Sequence, residues 1–534
     1  MTSIQLLDCT LRDGGYLVNK NFNENAIHNI VIGLTQAGVD YIELGFLQDE
    51  IGGKENVCFR NSIDAKKYIP ENRGNTLYTA FADYSRYTAD NLDDYDGQSF
   101  NCVRACFFKE ERKDVLEFCR KIMLKGYKVF VQPVGILRYS MTELLDLLAD
   151  FNEIQPYCFG IVDTFGSMYL EDLRLKLAVI HSELSPNIKL GFHSHNNKEL
   201  SNALSMEFLN IMKGERDICV DATLYGMGRG AGNTRTEIIV DYLNKRLGKN
   251  YDLASILDVI DNSIQSITAH IKWGYDLQMY LSGIYSSHIN NVKYLIEKAG
   301  LRTRDISWIL SRLTDDERSR YDYSRLDELY LECMHQITGK DDNIEKLRAI
   351  VQGKIVLVVA PGSTVNTHIT NITGFITDKN PVVISINFIP WNFKADFVYF
   401  NNPRRYDYFE NSGKLINQKV ILTTNVKTLD ANKILIPIEK IVKRNTDNST
   451  ILLLNLLDML DIRGIAIAGF DGFSDNDNNY VSSELEKSYS TSGEKNAKIQ
   501  AMFTDFTKNK TVSDVRFITP SRFLNPIESE DISC

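Results

Sequence analysis

Along the first 245 residues, short apolar runs rich in β-branched or aromatic side chains alternate with longer stretches of helical spacing. The runs are "IQLLDCT" (4–10), "YIELGF" (41–46), "TLYTAFA" (76–82), "CVRACFF" (102–108), "KVFVQPVG" (128–135), "CFGIVDTFG" (158–166), "KLGFHSH" (189–195) and "DICVDATLYG" (217–226). Each predicts a strand. Between them, segments such as "NENAIHNIVIGLTQAG" and "DVLEFCRKIMLKG" place apolar residues three and four apart and end in glycine, a helix stop. Eight strands alternating with helices over about 240 residues predict a (β/α)8 barrel across residues 1–250, with a doubly wound open sheet as the alternative.

After residue 250 the strand pattern stops. "LASILDVIDNSIQSITAHI", "HINNVKYLIEKAG" and "SRLDELYLECMHQIT" predict a helical appendage over 251–340. The charged stretch "GKDDNIEKLRAIVQGK" (339–354) precedes a second set of strand-like runs: "IVLVVAPGSTV" (355–365), "PVVISINF" (381–388), "ADFVYF" (395–400), "KVILTT" (419–424) and "IRGIAIAGFDGF" (462–473). These predict a Rossmann-like α/β domain over 350–534. The asparagine- and serine-rich segment 472–496 reads as a mobile surface loop.

Bulk properties narrow the classes. A chain of 534 residues exceeds what one hydrophobic core serves. With 43% hydrophobic and 24% charged residues it has the composition of a folded soluble protein. A formal net charge of -10 gives no reason to expect nucleic acid or an anionic membrane as partner. No run approaches the roughly 20 apolar residues of a membrane helix, and the N-terminus lacks a basic region followed by an apolar one. A cytoplasmic location is expected. The nine cysteines are scattered without a CxxC pair, which predicts reduced thiols in the core.

The candidate chemistry begins at "GFHSHNNKEL" (191–200). On a strand, His193 and His195 face the same side. Alone, the pair fits two hydrogen-bonded structural histidines as well as two metal ligands. "DCTLRDGG" (8–15) ends the first strand with Arg12 and Asp13, and in a closed barrel the ends of strands one and seven share a rim. Two imidazoles and a carboxylate make a nitrogen and oxygen set that leaves positions open on a divalent ion. The alternative for "RDG" is a surface ion pair opening a turn. The eighth run continues into "DATLYGMGRGAGNTRTE" (221–237), whose glycines at 226, 228, 230 and 232 permit close backbone approach. Asn233 follows with a side-chain carbonyl oxygen. A nucleotide fingerprint is the rival reading, but the acidic partner about 20 residues on is missing; a plain connector is the other.

Taken together, "DCTLRDGG", "YIELGF", "IVDTFG", "GFHSHNN" and "GMGRGAGNTRTE" resemble, in order and spacing, the metal-dependent aldolase and lyase barrels related to hydroxymethylglutaryl-CoA lyase. Within them, "GMGRGAGN" and "SGIYSSHINN" (282–291) most resemble the 4-hydroxy-2-oxovalerate aldolases. The resemblance covers about residues 1–300. It implies Asp13, His193 and His195 as metal ligands, with Asn233 a further ligand or a supporting partner. The ion implied is divalent: manganese first, with magnesium, cobalt or zinc also admissible. Arg12 would hold the enolate oxygen, Thr164 the substrate carboxylate, and Tyr285 would lie near the reacting carbons. Glu43 would orient Arg12, or else be a solvated strand-end glutamate. The chemistry is coherent, because breaking a carbon–carbon bond beside a ketone leaves an enolate that a divalent ion and a guanidinium stabilise.

One residue departs from the pattern. Where the aldolases place a histidine base three residues after the metal aspartate, this chain has Tyr16, and a tyrosine of ordinary pKa near 10 is a poor base. Tyr16 with a lowered pKa, a metal-bound hydroxide, another residue as base, or a different substrate are the ways out.

The expected activity is aldol cleavage or formation of a 4-hydroxy-2-oxo acid, giving pyruvate and an aldehyde, in a homo-oligomer. The alternatives are an acyl-CoA/2-oxo acid synthase, or a scaffold barrel with a glycosyltransferase-like C-terminal domain. In that domain, "VVAPGSTV" suggests backbone N–H groups presented to a phosphate, without the lysine of an ATPase loop. With "ISINF" and "ADFVYF" it faintly resembles Rossmann-like domains of bacterial sialyltransferases. A nucleotide or nucleotide-sugar is the expected partner there, with a noncatalytic interaction domain as the alternative; Asp471 in "GFDGF" is the residue singled out.

Overall fold

Strands covered on both faces need no polar alternation, so near-continuous apolar runs become the staves of a parallel sheet. Eight such strands form the barrel of the first sheet: β1 (Ile4–Asp8), β2 (Tyr41–Leu47), β3 (Leu77–Asp83), β4 (Cys102–Phe107), β5 (Lys128–Pro133), β6 (Cys158–Asp163), β7 (Lys189–Ser194) and β8 (Ile218–Ala222), with a two-residue strand, Cys58–Phe59, added alongside the end of β2. All pair in parallel in chain order, and β1 pairs with both β8 (Ile4↔Ile218) and β2 (Leu7↔Tyr41). The sheet is therefore a closed (β/α)8 barrel. Its helices start on local signals: Met141–Ile154 opens with a capping box in which Ser140 Oγ accepts from the Glu143 amide and the Glu143 carboxylate from the Ser140 amide. That helix then buries Leu144, Leu147, Leu148, Phe151 and Ile154 at three and four spacing.

This computed structural model describes residues 2–298, 300–337, 339, 341–443, 446–475, 478–482, 485 and 492–524. The chain forms two compact units, 1–292 with 315–321, and 293–314 with 322–534. The helical stretch 251–340 is thus divided between the units. The segment 472–496 lies partly outside the described residues.

The second unit is built on seven parallel strands: β9 (Ile355–Val359), β10 (Val382–Ile386), β11 (Phe397–Phe400), β12 (Val420–Thr423), β13 (Ile434–Ile436), β14 (Gly464–Ala468) and β15 (Asp514–Phe517). Their order is β13-β12-β11-β10-β9-β14-β15. Two of these, β13 and β15, are edge strands that the sequence pattern missed. β13 has only three residues, and β15, "DVRF", carries two charges and is part exposed, so neither makes an apolar run. The stretch 339–354 is mostly a helix, Asp342–Val351, that buries Ile344, Leu347 and Val351. Among the described residues no helix is long and apolar enough to cross a membrane, and the eight described cysteines are free, seven of them buried.

Candidate active site

The barrel interior is layered by residue parity. Leu7, Cys9, Tyr41, Cys102, Phe130, Cys158 and Cys219 pack as one apolar plug. Two residues further along the same strands, on the same inward side, come Glu43, Arg104 and Asp221, all buried. Glycine makes room at this level: a Cβ on Gly160 would lie 2.4 Å from the Gln132 amide oxygen.

At the mouth above this layer, β1 ends in Asp8, whose carboxylate accepts from the Thr10 amide (2.9 Å) and the Thr236 hydroxyl (2.7 Å). The one-turn helix Thr10–Asp13 that follows turns Arg12 and Asp13 inward. Arg12 donates through Nε to Glu43 (2.7 Å) and through Nη1 to Asp13 (3.0 Å), and lies over the Phe81 ring. Asp13 Oδ2 is 3.3 Å from His193 Nε2 and 3.9 Å from His195 Nε2. His193 Nδ1 is 3.0 Å from Asp221 Oδ2, Asp221 pairs with Arg104, and Arg104 Nη1 returns to Glu43 at 3.1 Å. The contacts close a ring: Arg12, Asp13, His193, Asp221, Arg104, Glu43.

The ring sets the charge states. Burial alone would lower the Arg12 pKa, but Glu43 and Asp13 hold it well above its ordinary value. Burial would raise the Asp13 carboxyl, yet Arg12 and the two histidines keep it well below the usual carboxylate range. Burial pushes the His195 imidazole down to about 4, so at neutral pH its nitrogen lone pair is available. The Asp221 bond fixes His193 with Nε2 toward Asp13, the carboxylate–histidine arrangement that supports a metal ligand.

Whether these groups suit a divalent ion follows from the donors. Among the described residues, the cluster whose possible ligand atoms all lie within 4.8 Å of one another is Cys9, Asp13 and His193. Cys9 is the weaker donor: its thiol donates to the Ala222 carbonyl (3.4 Å), and burial pushes its pKa well up, keeping it protonated. His195 is neutral and on the same rim. Asn233 adds a carbonyl oxygen that is buried without a hydrogen-bond partner. A carboxylate, imidazole nitrogens and an orphaned amide oxygen fit a divalent cation.

Residues 99–262 match the HMGL-like family. That stretch runs from β4 to β8. Relatives of the chain include an oxaloacetate decarboxylase from Mycobacterium tuberculosis, 27% identical over 55% of this chain and 87% of that protein. A 4-hydroxy-2-oxovalerate aldolase from Geobacillus genomosp. 3 is 24% identical over 58% of this chain and 92% of its own length. Among solved structures, the N-terminal domain of a Bacteroides vulgatus protein described as an aldolase is 24% identical, with a TM-score of 0.48, over 55% of this chain and 96% of that one.

In this barrel the other residues singled out from sequence sort as follows. Glu43 is fully buried as the shared partner of Arg12 and Arg104, not a solvated strand end. Thr164, in the turn after β6, accepts from the Gly135 amide through Oγ1 (2.9 Å), keeping its own hydroxyl proton to donate. Helix Leu277–Ile284 crosses the rim: a Cβ on Gly283 would lie 3.0 Å from the Gly166 carbonyl and 3.2 Å from Asn197. Tyr285 caps that helix. In the glycine loop, Gly232 has φ +85° and its missing Cβ would collide with the Gly226 carbonyl at 2.1 Å. Arg104 and Asp221 escaped the sequence reading. Their signal was a lone charge of inward parity inside "CVRACFF" and "ICVDAT".

The surroundings of Tyr16 run against a lowered pKa. Its ring packs edge-on against Phe46 and under the Arg229 guanidinium at 4.6 Å, and burial raises its pKa further above 10. It stays protonated at neutral pH. Tyr16→Phe is expected to keep kcat within about tenfold of wild type, with an unchanged pH profile up to pH ~9; a far larger fall in kcat together with loss of a rise in rate with pH would restore Tyr16 as the base.

Gly228 tests Asn233. A Cβ there would sit 2.1 Å from Asn233 Nδ2. Gly228→Ala is expected to weaken manganese binding about 10- to 100-fold by displacing that side chain, read by calorimetric titration. Unchanged affinity would remove Asn233 from the site.

Proposed function

We propose that the barrel cleaves or forms a carbon–carbon bond of a 4-hydroxy-2-oxo acid through a pyruvate enolate. The observation that carries this reading is the meeting, at one barrel mouth, of the Asp13, His193 and His195 donors with an Arg12 fixed by Glu43. Asp13, His193 and His195, with Asn233 beside them, would hold a divalent ion, manganese before magnesium, cobalt or zinc, which would supply Lewis-acid stabilisation of the enolate.

The chain's own residues supply the rest. Arg12, anchored at Nε and Nη1, turns its remaining N–H groups toward the oxygen that gains charge. Thr164 donates to the substrate carboxylate, and Tyr285 covers the reacting carbons. In the cleavage direction the 4-hydroxyl passes its proton to water or another base, the C3–C4 bond breaks with its electron pair going to the pyruvate fragment as the enolate, and the aldehyde leaves.

Tyr16 favours a second reading. Loss of carbon dioxide from a 2-oxo acid with a carboxylate on C3 gives the same enolate without a base to take a hydroxyl proton. A tyrosine that stays protonated leaves that route open at position 16, and one relative carries the name oxaloacetate decarboxylase.

The test is pyruvate release, with and without added manganese, from a panel of 4-hydroxy-2-oxo acids and from oxaloacetate. Metal-dependent pyruvate and aldehyde from a hydroxy acid is the expected result. Pyruvate from oxaloacetate alone would replace aldolase by decarboxylase, and thiol release from acetyl-CoA with a 2-oxo acid would replace it by synthase. No product from any of them would sink the enolate reading.

A further inference from the structure

The second unit holds a cavity of about 480 Å³ at the carboxyl ends of its strands. The turns after β9 (Ala360–Gly362) and β14 (Gly469–Phe473) line it, with Asn387 after β10 and Asn402 after β11. β9 and β14 are neighbours whose onward connections leave in opposite directions, to β10 on one side and β15 on the other. That is the topological switch point, the crevice that takes ligands in open α/β sheets. The volume is that of a small-molecule site and far exceeds a bare ion's.

The lining selects the ligand's chemistry. Among the described lining residues, cationic side chains outnumber anionic ones five to three, in a chain of formal net charge -10. Lys298 and Asp447 pair with each other at 3.1 Å. The excess sits on Arg404 and Arg405 of helix Pro403–Asn411 and on Lys495 and Lys498 of helix Ser492–Asn509.

The phosphate cradle expected at "VVAPGSTV" is not available. The Thr364 amide donates to Asp471 (2.8 Å), and the Thr364 hydroxyl donates to the same carboxylate. The start of helix Ser449–Asp458 is likewise filled, by the Asn448 side chain. An anion here is held by side chains, not by backbone N–H groups. Asp471, with part of its acceptor capacity taken by Thr364 and Ser363, offers the rest to hydroxyl groups. Tyr408, 43% exposed, and Phe473 give aromatic wall for a planar ring.

We propose that this cavity binds a nucleoside phosphate, its phosphate on the Arg404, Arg405, Lys495 and Lys498 side and its ribose hydroxyls toward Asp471. A free nucleotide and a nucleotide-sugar share that chemistry.

The test is calorimetric titration of the full chain with the four common nucleoside mono- and diphosphates, a set of nucleoside diphosphate sugars, and inorganic phosphate. At least one nucleotide is expected to bind with Kd below about 1 mM, and inorganic phosphate is not. Arg404→Glu and Lys498→Glu, both at exposed helix positions, are expected to weaken that binding at least about tenfold without changing the melting temperature of the ligand-free chain. Tighter binding of a nucleotide-sugar than of its parent diphosphate would identify the sugar conjugate as the ligand, and the reverse order a free nucleotide. Absence of nucleotide binding, phosphate binding as tightly, or variants of wild-type affinity would each overturn the proposal. None of these outcomes depends on the barrel's activity.

Discussion

Asp13→Asn is expected to strip the barrel of its ion and to lower kcat/KM for pyruvate release by at least about 10³. Asp13 is fully buried and is the one carboxylate among the proposed ligands, with Arg12 at 3.0 Å and the two imidazoles at 3.3 and 3.9 Å. Asparagine keeps the shape and removes the charge. A Lewis acid contributes several kcal/mol to the transition state, and each ~1.4 kcal/mol is tenfold in rate. Metal content per chain and steady-state kinetics read the two effects separately. A variant with full ion content and wild-type rate would remove Asp13 from the site. Cys9→Ala is the control: because that thiol is protonated and turned to the Ala222 carbonyl, ion content should be unchanged.

Arg104→Met is expected to destabilise the barrel by about 3–5 kcal/mol, the cost of removing one partner from a buried ion pair. Arg104 is 1% exposed and serves both Glu43 and Asp221. Its loss leaves two carboxylates inside the barrel with reduced compensation. Thermal or urea unfolding reads the change. Pairing it with Asp221→Asn should recover part of the loss, since the second substitution removes one of the stranded charges. A single variant as stable as wild type would show that the interior tolerates the uncompensated carboxylates.

The barrel was legible because its strands are covered on both faces: "CFGIVDTFG" or "KLGFHSH" has no other way to hide its apolar side chains. The same rule hid Arg104 and Asp221, since a charge within an apolar run reads as an interruption until its partners on other strands are known. Asp13, His193 and His195 were legible as a set because barrel closure brings strand ends one and seven together. Glu43 was ambiguous from sequence, because burial decides between orienting and solvated roles. In the second unit, β13 and β15 were lost to shortness and edge polarity. The loop after β9 was misread because the group that fills its amide, Asp471, is more than a hundred residues away in sequence.

The closed ring from Arg12 round to Glu43 has a consequence for how this barrel could acquire another substrate. Every member balances two neighbours, so a change that retunes Arg12 or His193 also loosens the interior, and selection meets both effects at once. Variation is cheaper where the ring does not reach and the side chain is exposed, as at Leu277 and Ile284 on the helix that crosses the rim. With the proposed chemistry, change is therefore expected in the group that departs from the enolate sooner than in the enolate itself.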